Sequence, residues 1–342
     1  MKKKILIISG GISKERIISL ETGRQVAKEL KKNNYLVKSC EPDKDLLSAI
    51  KDFDKNIIYD QDLKKKNWFN IGGKSKVFYK AENLKDLIKF LKLLDNKEKI
   101  FVIGAGSNTL ISDDIFDGVV IKLSKNFNRI SLLKEDVIIS GSAVLDKSLS
   151  EFATENHLSG FEFLSCIPGS IGGGIKMNAG CFGKEFKDIL LSIQAIDQKG
   201  NLLTIPSNEI NFDYRNNDLP EDLIFLSASF KGVKSDYSKV NSEVKKMKSL
   251  KEKNQPMKIK TGGSTFKNPI NQTNKKVWEL IRESVSIDTK FGDAHISEKH
   301  SNFFVNKGNA TFNDMKNLID FVSKKVFEKT GIKLDKEIKI LE

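Results

Sequence analysis

Two glycine-rich segments and a serine preceded by two glycines are the parts of this 342-residue chain whose residue types suit chemistry. The first segment, Gly104-Ala105-Gly106-Ser107-Asn108-Thr109-Leu110, follows the apolar run Ile100 to Ile103. Two glycines and two small polar residues at that point let backbone N–H groups come close to a phosphate. The segment lacks the third glycine and following helix of a dinucleotide-binding turn, so alone it reads as a tight turn. The second, Ile167-Pro168-Gly169-Ser170-Ile171-Gly172-Gly173-Gly174, is read as a loop running into Met177-Asn178-Ala179-Gly180-Cys181-Phe182-Gly183. So many glycines exceed the needs of a turn, and such backbone can lie against a flat ring system and a pyrophosphate without side-chain interference. Ser264, in Gly263-Ser264-Thr265-Phe266-Lys267-Asn268-Pro269, is by itself an ordinary loop hydroxyl. Arg215 suits either a surface ion pair or a planar fork for a carboxylate, and Glu337 is anonymous. His157, His295 and His300 are too scattered for a metal site, and none is expected.

The elements that must position these residues follow from the hydrophobic pattern. Strands are expected from Val77, at Ile100 to Ile103, Gly118 to Leu123, Asp136 to Ser140, Leu191 to Asp197 and Ile224 to Phe230, with a last one near Lys336 to Leu341. Helices are expected over Leu84 to Leu94, Asp146 to Asn156, Lys276 to Glu283 and Phe312 to Lys329. That order implies an α/β architecture. Before it, Lys4 to Ser9 reads as a buried strand leading through Gly10-Gly11 into a helix with apolar positions at Ile18, Val26 and Leu30. The polar stretch Asp52 to Lys66 reads as a join.

Composition narrows the class. The net charge of +13 is carried mostly by lysines interleaved with acids, which reads as a solvated surface and argues against nucleic-acid readout. No segment approaches the roughly 20 apolar residues of a membrane span, and the first apolar run is too short for a signal-peptide core. A cytoplasmic protein without membrane insertion, and a monomer, is expected. Cys40, Cys166 and Cys181 form no C-x-x-C pair and read as reduced thiols.

Seven segments in order carry a family resemblance. They are Trp68 to Gly73, Gly104 to Leu110, Ile167 to Gly183, Tyr214-Arg215, Gly263 to Pro269, Ser297 to Phe303 and Leu334 to Ile338, covering about residue 58 to the end. In these the chain resembles the UDP-N-acetylenolpyruvoylglucosamine reductases. The resemblance implies two α+β and α/β FAD-binding subdomains of the vanillyl-alcohol-oxidase type, at 58–124 and 125–236, with a C-terminal substrate-binding α+β domain at 237–342. It implies FAD and NADPH as cofactors and a UDP-sugar as substrate, in peptidoglycan precursor synthesis. Too few residues separate Tyr214-Arg215 from Lys251 for the long tyrosine-bearing loop of one branch, so the chain is similar to the shorter, type II branch.

Residue by residue, the resemblance makes Ser264 the proton donor, with Arg215 and Glu337 stabilising the enolate. Gly104, Ala105, Gly106, Ser107, Asn108 and Thr109, with Pro168, Gly169, Ser170, Gly172, Gly173, Asn178 and Gly180, would hold FAD. Tyr214, Lys251, Gln255 and Asn268 would contact the substrate, Lys251 standing where the family often has arginine. Trp68 and Phe69 read as core packing, and His300 as a structural hydrogen-bonding residue.

The first 57 residues do not fit that family. Ile7 to Arg16, continuing through Ser19 to Gly23, resembles the opening of D-alanine–D-alanine ligases, with Glu15 at a D-alanine-holding position. The ATP-binding domains of a ligase have no room, so no ligase activity is expected. Two further readings stay open: another FAD-linked oxidase of the same fold, or a non-catalytic D-alanine- or nucleotide-binding module.

Overall fold

A computed structural model describes residues 4–10, 14–41, 56–94, 98–256 and 259–342. Strands Lys4–Ile8 and Leu36–Cys40 pair in parallel around the helix Arg16–Lys32. The helix approaches the strands through small residues, Gly23 and Ala27, and a Cβ on Gly23 would overlap Ser9. Contrary to the sequence expectation, Ile18 (70% exposed) and Val26 face solvent. The apolar period was there, but the tight strand contact selected the small residues for the inner face. Part of the ligase-like motif, 11–13, lies outside the described residues, as do 52–55 of the expected join.

The rest of that join is not a linker. Ile57–Asp62 alternates half-buried and exposed residues and pairs antiparallel with Lys74–Ala81. Lys74–Ala81 in turn lies parallel to Phe116–Leu123, and that strand parallel to Ile100–Val102. Helix Leu84–Leu91 starts where the Asn83 side chain accepts the Asp86 N–H (2.9 Å), relieving an orphan helix donor. It buries Leu87, Phe90 and Leu91, with Phe90 stacked on Tyr79.

A five-stranded antiparallel sheet follows, in the order Leu202–Pro206, Leu190–Ile196, Ile224–Lys231, Val137–Gly141, Ile130–Lys134. Its buried face meets helix Asp146–Glu155 and the edge-on rings of Phe161, Phe163, Phe186 and Phe230. The long helix Tyr237–Asn254 packs on the turn Glu162–Cys166 of this unit.

The third sheet runs Thr261–Ser264, Phe303–Asn306, Ala294–Ile296, Lys290–Phe291, backed by helices Val277–Ser284 and Phe312–Thr330. Thr311 and Asp314 form a reciprocal cap at the start of the second helix, and Gly331 (φ +70°) ends it in the left-handed conformation. Phe69 is buried in this core, whereas Trp68, expected beside it, is 45% exposed. The last strand, Lys339–Leu341, leaves the third unit to pair in parallel with Thr109–Ile111. That return places the C-terminal segment beside the first glycine-rich loop. Among the described residues no helix is long and apolar enough to cross a membrane.

Candidate active site

The first glycine loop is shaped by a close backbone approach. Gly106 has φ +69°, its carbonyl accepts the Trp68 N–H (2.9 Å), and a Cβ there would overlap the Lys66 carbonyl. Only glycine fits. A Cβ on Gly104 would likewise overlap Ser170 Oγ, so the two glycine segments, distant in sequence, touch. Asn108 then ties the loop to the C-terminus: its carbonyl accepts the Lys339 N–H (2.9 Å), and its Nδ2 donates to the Glu337 carbonyl and approaches Met177 Sδ (both 3.0 Å). Thr109 is buried in the strand that pairs with Lys339.

The second segment is not wholly a loop. Ser170 precedes a short helix, Ile171–Lys176, whose glycines let it sit tightly: a Cβ on Gly174 would overlap the Phe186 ring. The packing of Phe186 supplies a long-range contact that compensates the poor helix propensity of glycine. The preceding Pro168-Gly169-Ser170 strip is held against residues 142–146, with the Asp146 N–H on the Gly169 carbonyl (3.2 Å) and the Gly172 N–H on the Ser142 carbonyl (2.9 Å). Gly104, Pro168 and Gly173 remain exposed, with Ala105, Ser107, Asn108 and Gly169 half-buried. This open strip of small residues and free-standing backbone is what a flavin ring and pyrophosphate require, so the residues present fit FAD.

Polar atoms beneath the strip support that fit. The Asp146 carboxyl, under Gly169, is fully buried with neither oxygen partnered, and Ser142 Oγ, under Gly172, is unpartnered too. Burial pushes the Asp146 pKa well above the usual carboxylate range. The sequence offered no signal for this group, because Asp146 stands at a helix start where acids are common.

Arg215 stands at the centre of the cluster, in a left-handed conformation (φ +56°) unusual for its type. Its Nη2 donates to the Gly180 carbonyl (2.8 Å), Nη1 to the Asn178 carbonyl (3.4 Å) and Nε to Glu337 Oε1 (3.3 Å). Its guanidinium lies over the Tyr214 ring, and Tyr214 Oη accepts from Asn268 Nδ2 (3.2 Å). Glu185, which sequence reasoning did not single out, completes the frame: it lies 3.7 Å from Arg215 and accepts from Asn178 Nδ2 (3.0 Å). Asn178, buried at φ +44°, holds the chain's turn through Asp213 and Lys187 as well.

Glu337 reaches Arg215 from the other side. Its N–H donates to the Thr265 carbonyl (2.8 Å), and Lys336 bridges Phe266 in antiparallel fashion. The backbone next to Ser264 is thereby fixed to the backbone of Glu337. Burial raises the Glu337 pKa, while Arg215 and Lys267 pull it back. Ser264 ends its strand, half-buried, after Gly263 at φ +78°, where a Cβ would meet only open space. The Ser264 side chain is thus partly accessible, next to a glycine that leaves the space beside it open.

The structure thus gathers Ser264, Arg215, Glu337, Tyr214, Asn268, Asn178, Gly180 and Asn108 into one connected set. Lys251 stands next to it, its Nζ donating to the Cys166 carbonyl beside Cys181, with burial lowering its pKa. Gln255 closes the helix Tyr237–Asn254 through its N–H to the Lys251 carbonyl (2.9 Å), and no hydrogen bond among the described residues joins it to the cluster. His300 accepts the Asn302 N–H at Nδ1 (3.3 Å), a structural contact.

The fold and the two apposed glycine segments define an FAD-binding enzyme of mixed α/β architecture, and the FAD binding domain model matches residues 75–206. The model for the UDP-N-acetylenolpyruvoylglucosamine reductase C-terminal domain matches residues 255–341. A protein of that name from Pelagibacter ubique is 65% identical over 286 residues, covering 84% of this chain and 95% of the relative. The namesake from Rickettsia typhi is 46% identical, covering 82% and 94%. In three dimensions the chain is similar to the crystal structure of the reductase MurB from Thermus caldophilus, with a TM-score of 0.71, 27% identity and coverage of 84% and 98%. The chain belongs to the UDP-N-acetylenolpyruvoylglucosamine reductase family.

Proposed function

We propose that the chain holds FAD along the two glycine segments and reduces the enolpyruvyl ether of UDP-N-acetylglucosamine to UDP-N-acetylmuramate with NADPH. The observation that carries this reading is the convergence of Ser264, Arg215 and Glu337 from distant segments beside those loops. FAD held there would supply hydride chemistry, with NADPH as the reductant and C3 of the enolpyruvyl group as the acceptor. The residues of the chain manage the charge and the proton. Arg215 and Glu337 steady the enolate that develops, and Ser264 delivers the proton to C2, which leaves a lactyl ether. Gly104, Ala105, Gly106, Ser107, Asn108 and Thr109, with Pro168, Gly169, Ser170, Gly172, Gly173, Asn178 and Gly180, would hold the FAD, the first set suited to its pyrophosphate. Tyr214 and Asn268, already hydrogen-bonded together, with Lys251 and Gln255, take the UDP-sugar.

The test is anaerobic. NADPH bleaches the flavin absorbance, the enolpyruvyl sugar nucleotide restores it, and oxygen restores it only slowly. Rapid recovery with oxygen and none with the sugar nucleotide would mark an oxidase instead. The flavin is held without a covalent bond, since no histidine or cysteine of the loops is placed as an attachment point by the resemblance; acid precipitation should release all colour, and a yellow pellet would contradict this.

Three units, at 58–124, 125–236 and 237–342, are proposed to make up the reductase, with the N-terminal segment a non-catalytic appendage. The structure refines where to cut: Ile57 pairs with Tyr79, so a truncation should begin at residue 56. That truncated protein is expected to keep FAD and most of the turnover. A folded, yellow but inactive truncation would place the appendage in the working enzyme.

A further inference from the structure

Three cysteines, unremarkable in sequence, are not equivalent in the fold. Cys166 ends the turn Glu162–Cys166, and Cys181 lies in the short strand Gly180–Cys181, which packs on that turn. That contact brings the segments carrying the two cysteines together, and each thiol shifts the titration of the other. Ser165 Oγ is 3.6 Å from Cys166 Sγ, and Lys251 enters from the long helix to hold the Cys166 carbonyl, with Lys248 and Arg215 adding positive charge nearby. Cys166 is buried and Cys181 half-buried, next to the exposed turn Phe182-Gly183. Cys40 lies in the N-terminal strand Leu36–Cys40.

We propose that Cys166 and Cys181 are an oxidisable dithiol, a site that takes hydrogen peroxide and closes to a disulfide that shuts the adjacent active site. The thiolate of the pair attacks a peroxide oxygen, breaking the O–O bond and releasing water as the leaving oxygen takes a proton. The resulting sulfenic acid condenses with the second thiol, expelling a second water as the S–S bond forms. Two thiols are oxidised and one peroxide is reduced to water. The environment favours the first step: Cys181, then Ser165 and the charges of Lys251 and Lys248, lower the Cys166 pKa, so a thiolate forms more readily there than at an ordinary cysteine.

Closure has a mechanical consequence. A disulfide requires its two Cβ atoms to sit about 3.5–4.5 Å apart in a fixed dihedral, which two neighbouring thiols need not satisfy. Cys181 would move with Gly180, whose carbonyl receives Arg215 Nη2, and Cys166 would move with the carbonyl that anchors Lys251. This inhibitory half rests on the reductase reading above; formation of the disulfide does not.

The experiment uses the full chain with its flavin, reduced, desalted, exposed to hydrogen peroxide and quenched with N-ethylmaleimide before peptide mass spectrometry. The expected product joins the Cys166 and Cys181 peptides with loss of two hydrogens, while Cys40 remains alkylated. Turnover falls by about 10²-fold, the scale of an ångström misplacement at a reacting centre, and returns with dithiothreitol. Cys166→Ser and Cys181→Ser keep after peroxide whatever turnover they had before it. If peroxide leaves both thiols alkylatable, or takes one to a sulfinic acid without a cross-link, the dithiol is overturned. A cross-linked protein with unchanged turnover overturns the inhibitory half. Should the untreated protein show no reductase turnover, the reductase reading fails, and the mass measurement still decides the dithiol.

Discussion

Replacing Ser264 with alanine is expected to leave NADPH bleaching of the flavin absorbance unchanged and to slow the return of colour on adding the enolpyruvyl sugar nucleotide. The expected slowing is about 10²–10⁴-fold, the usual worth of a positioned proton donor, with the upper end favoured because the enolate is left waiting for water at a half-buried position. The argument is one of position. Ser264 follows Gly263 in a left-handed turn, beside open space, and its neighbour Thr265 is tied by backbone to Glu337 and Asn302. The hydroxyl is thus carried by rigid sheet rather than by a mobile loop. Cysteine, which can also surrender a proton, should recover part of the rate. Stopped-flow absorbance separates the two half-reactions, and recolouring at the parent rate in the alanine variant would remove Ser264 from the proton transfer.

Arg215→Gln should cost about 10²–10³-fold in turnover, the range seen when one preorganised donor to a developing anion is removed. Lysine at 215 should recover little. Its single ammonium cannot span the Gly180 and Asn178 carbonyls and Glu337 together, as the planar fork does. The substitution has a second, independent signature in stability. Burial raises the Glu337 pKa in the folded protein, and Arg215 opposes that rise. Without the arginine the folded pKa climbs further above its unfolded value. A carboxyl of that kind binds its proton more tightly when folded, so its contribution to stability is present below the unfolded pKa and lost as pH rises through the folded one. The variant should therefore lose more thermal stability than the parent on going from acid to neutral pH. Parallel melting curves at both pH values check this; parallel losses in the two proteins would mean that Arg215 does not set the Glu337 charge.

Much of the site was legible in sequence because its requirements are local. Gly106 and Gly263 stand where positive φ angles favour glycine, Gly106 also where backbone lies against it, and such needs leave a mark at the position itself. The strands and helices that were expected lie within a few residues of those found, because an alternating or helical apolar period is a property of a short window, whereas the strand Thr261–Ser264, its sheet partners and the helix Tyr237–Asn254 were not anticipated. The seven ordered segments then pointed to the family that the relatives support.

What tertiary structure alone decided is the set of encounters between windows. Ile57–Asp62 reads as a polar join until Lys74–Ala81 supplies its hydrogen-bonding partner. Ile171–Lys176 reads as loop until the Phe186 ring fills the space over Gly174. In the N-terminal helix, Gly23 and Ala27 rather than the larger apolar residues face the sheet, because the distance between helix and strand sets which side chains fit. Glu185 beside Arg215, and Cys166 beside Cys181, carry no signature at their own positions. Each is an ordinary residue whose chemistry comes from a partner brought close by chain crossings, and side-chain electrostatics depends steeply on that separation and on burial, neither of which is written in the spacing along the chain.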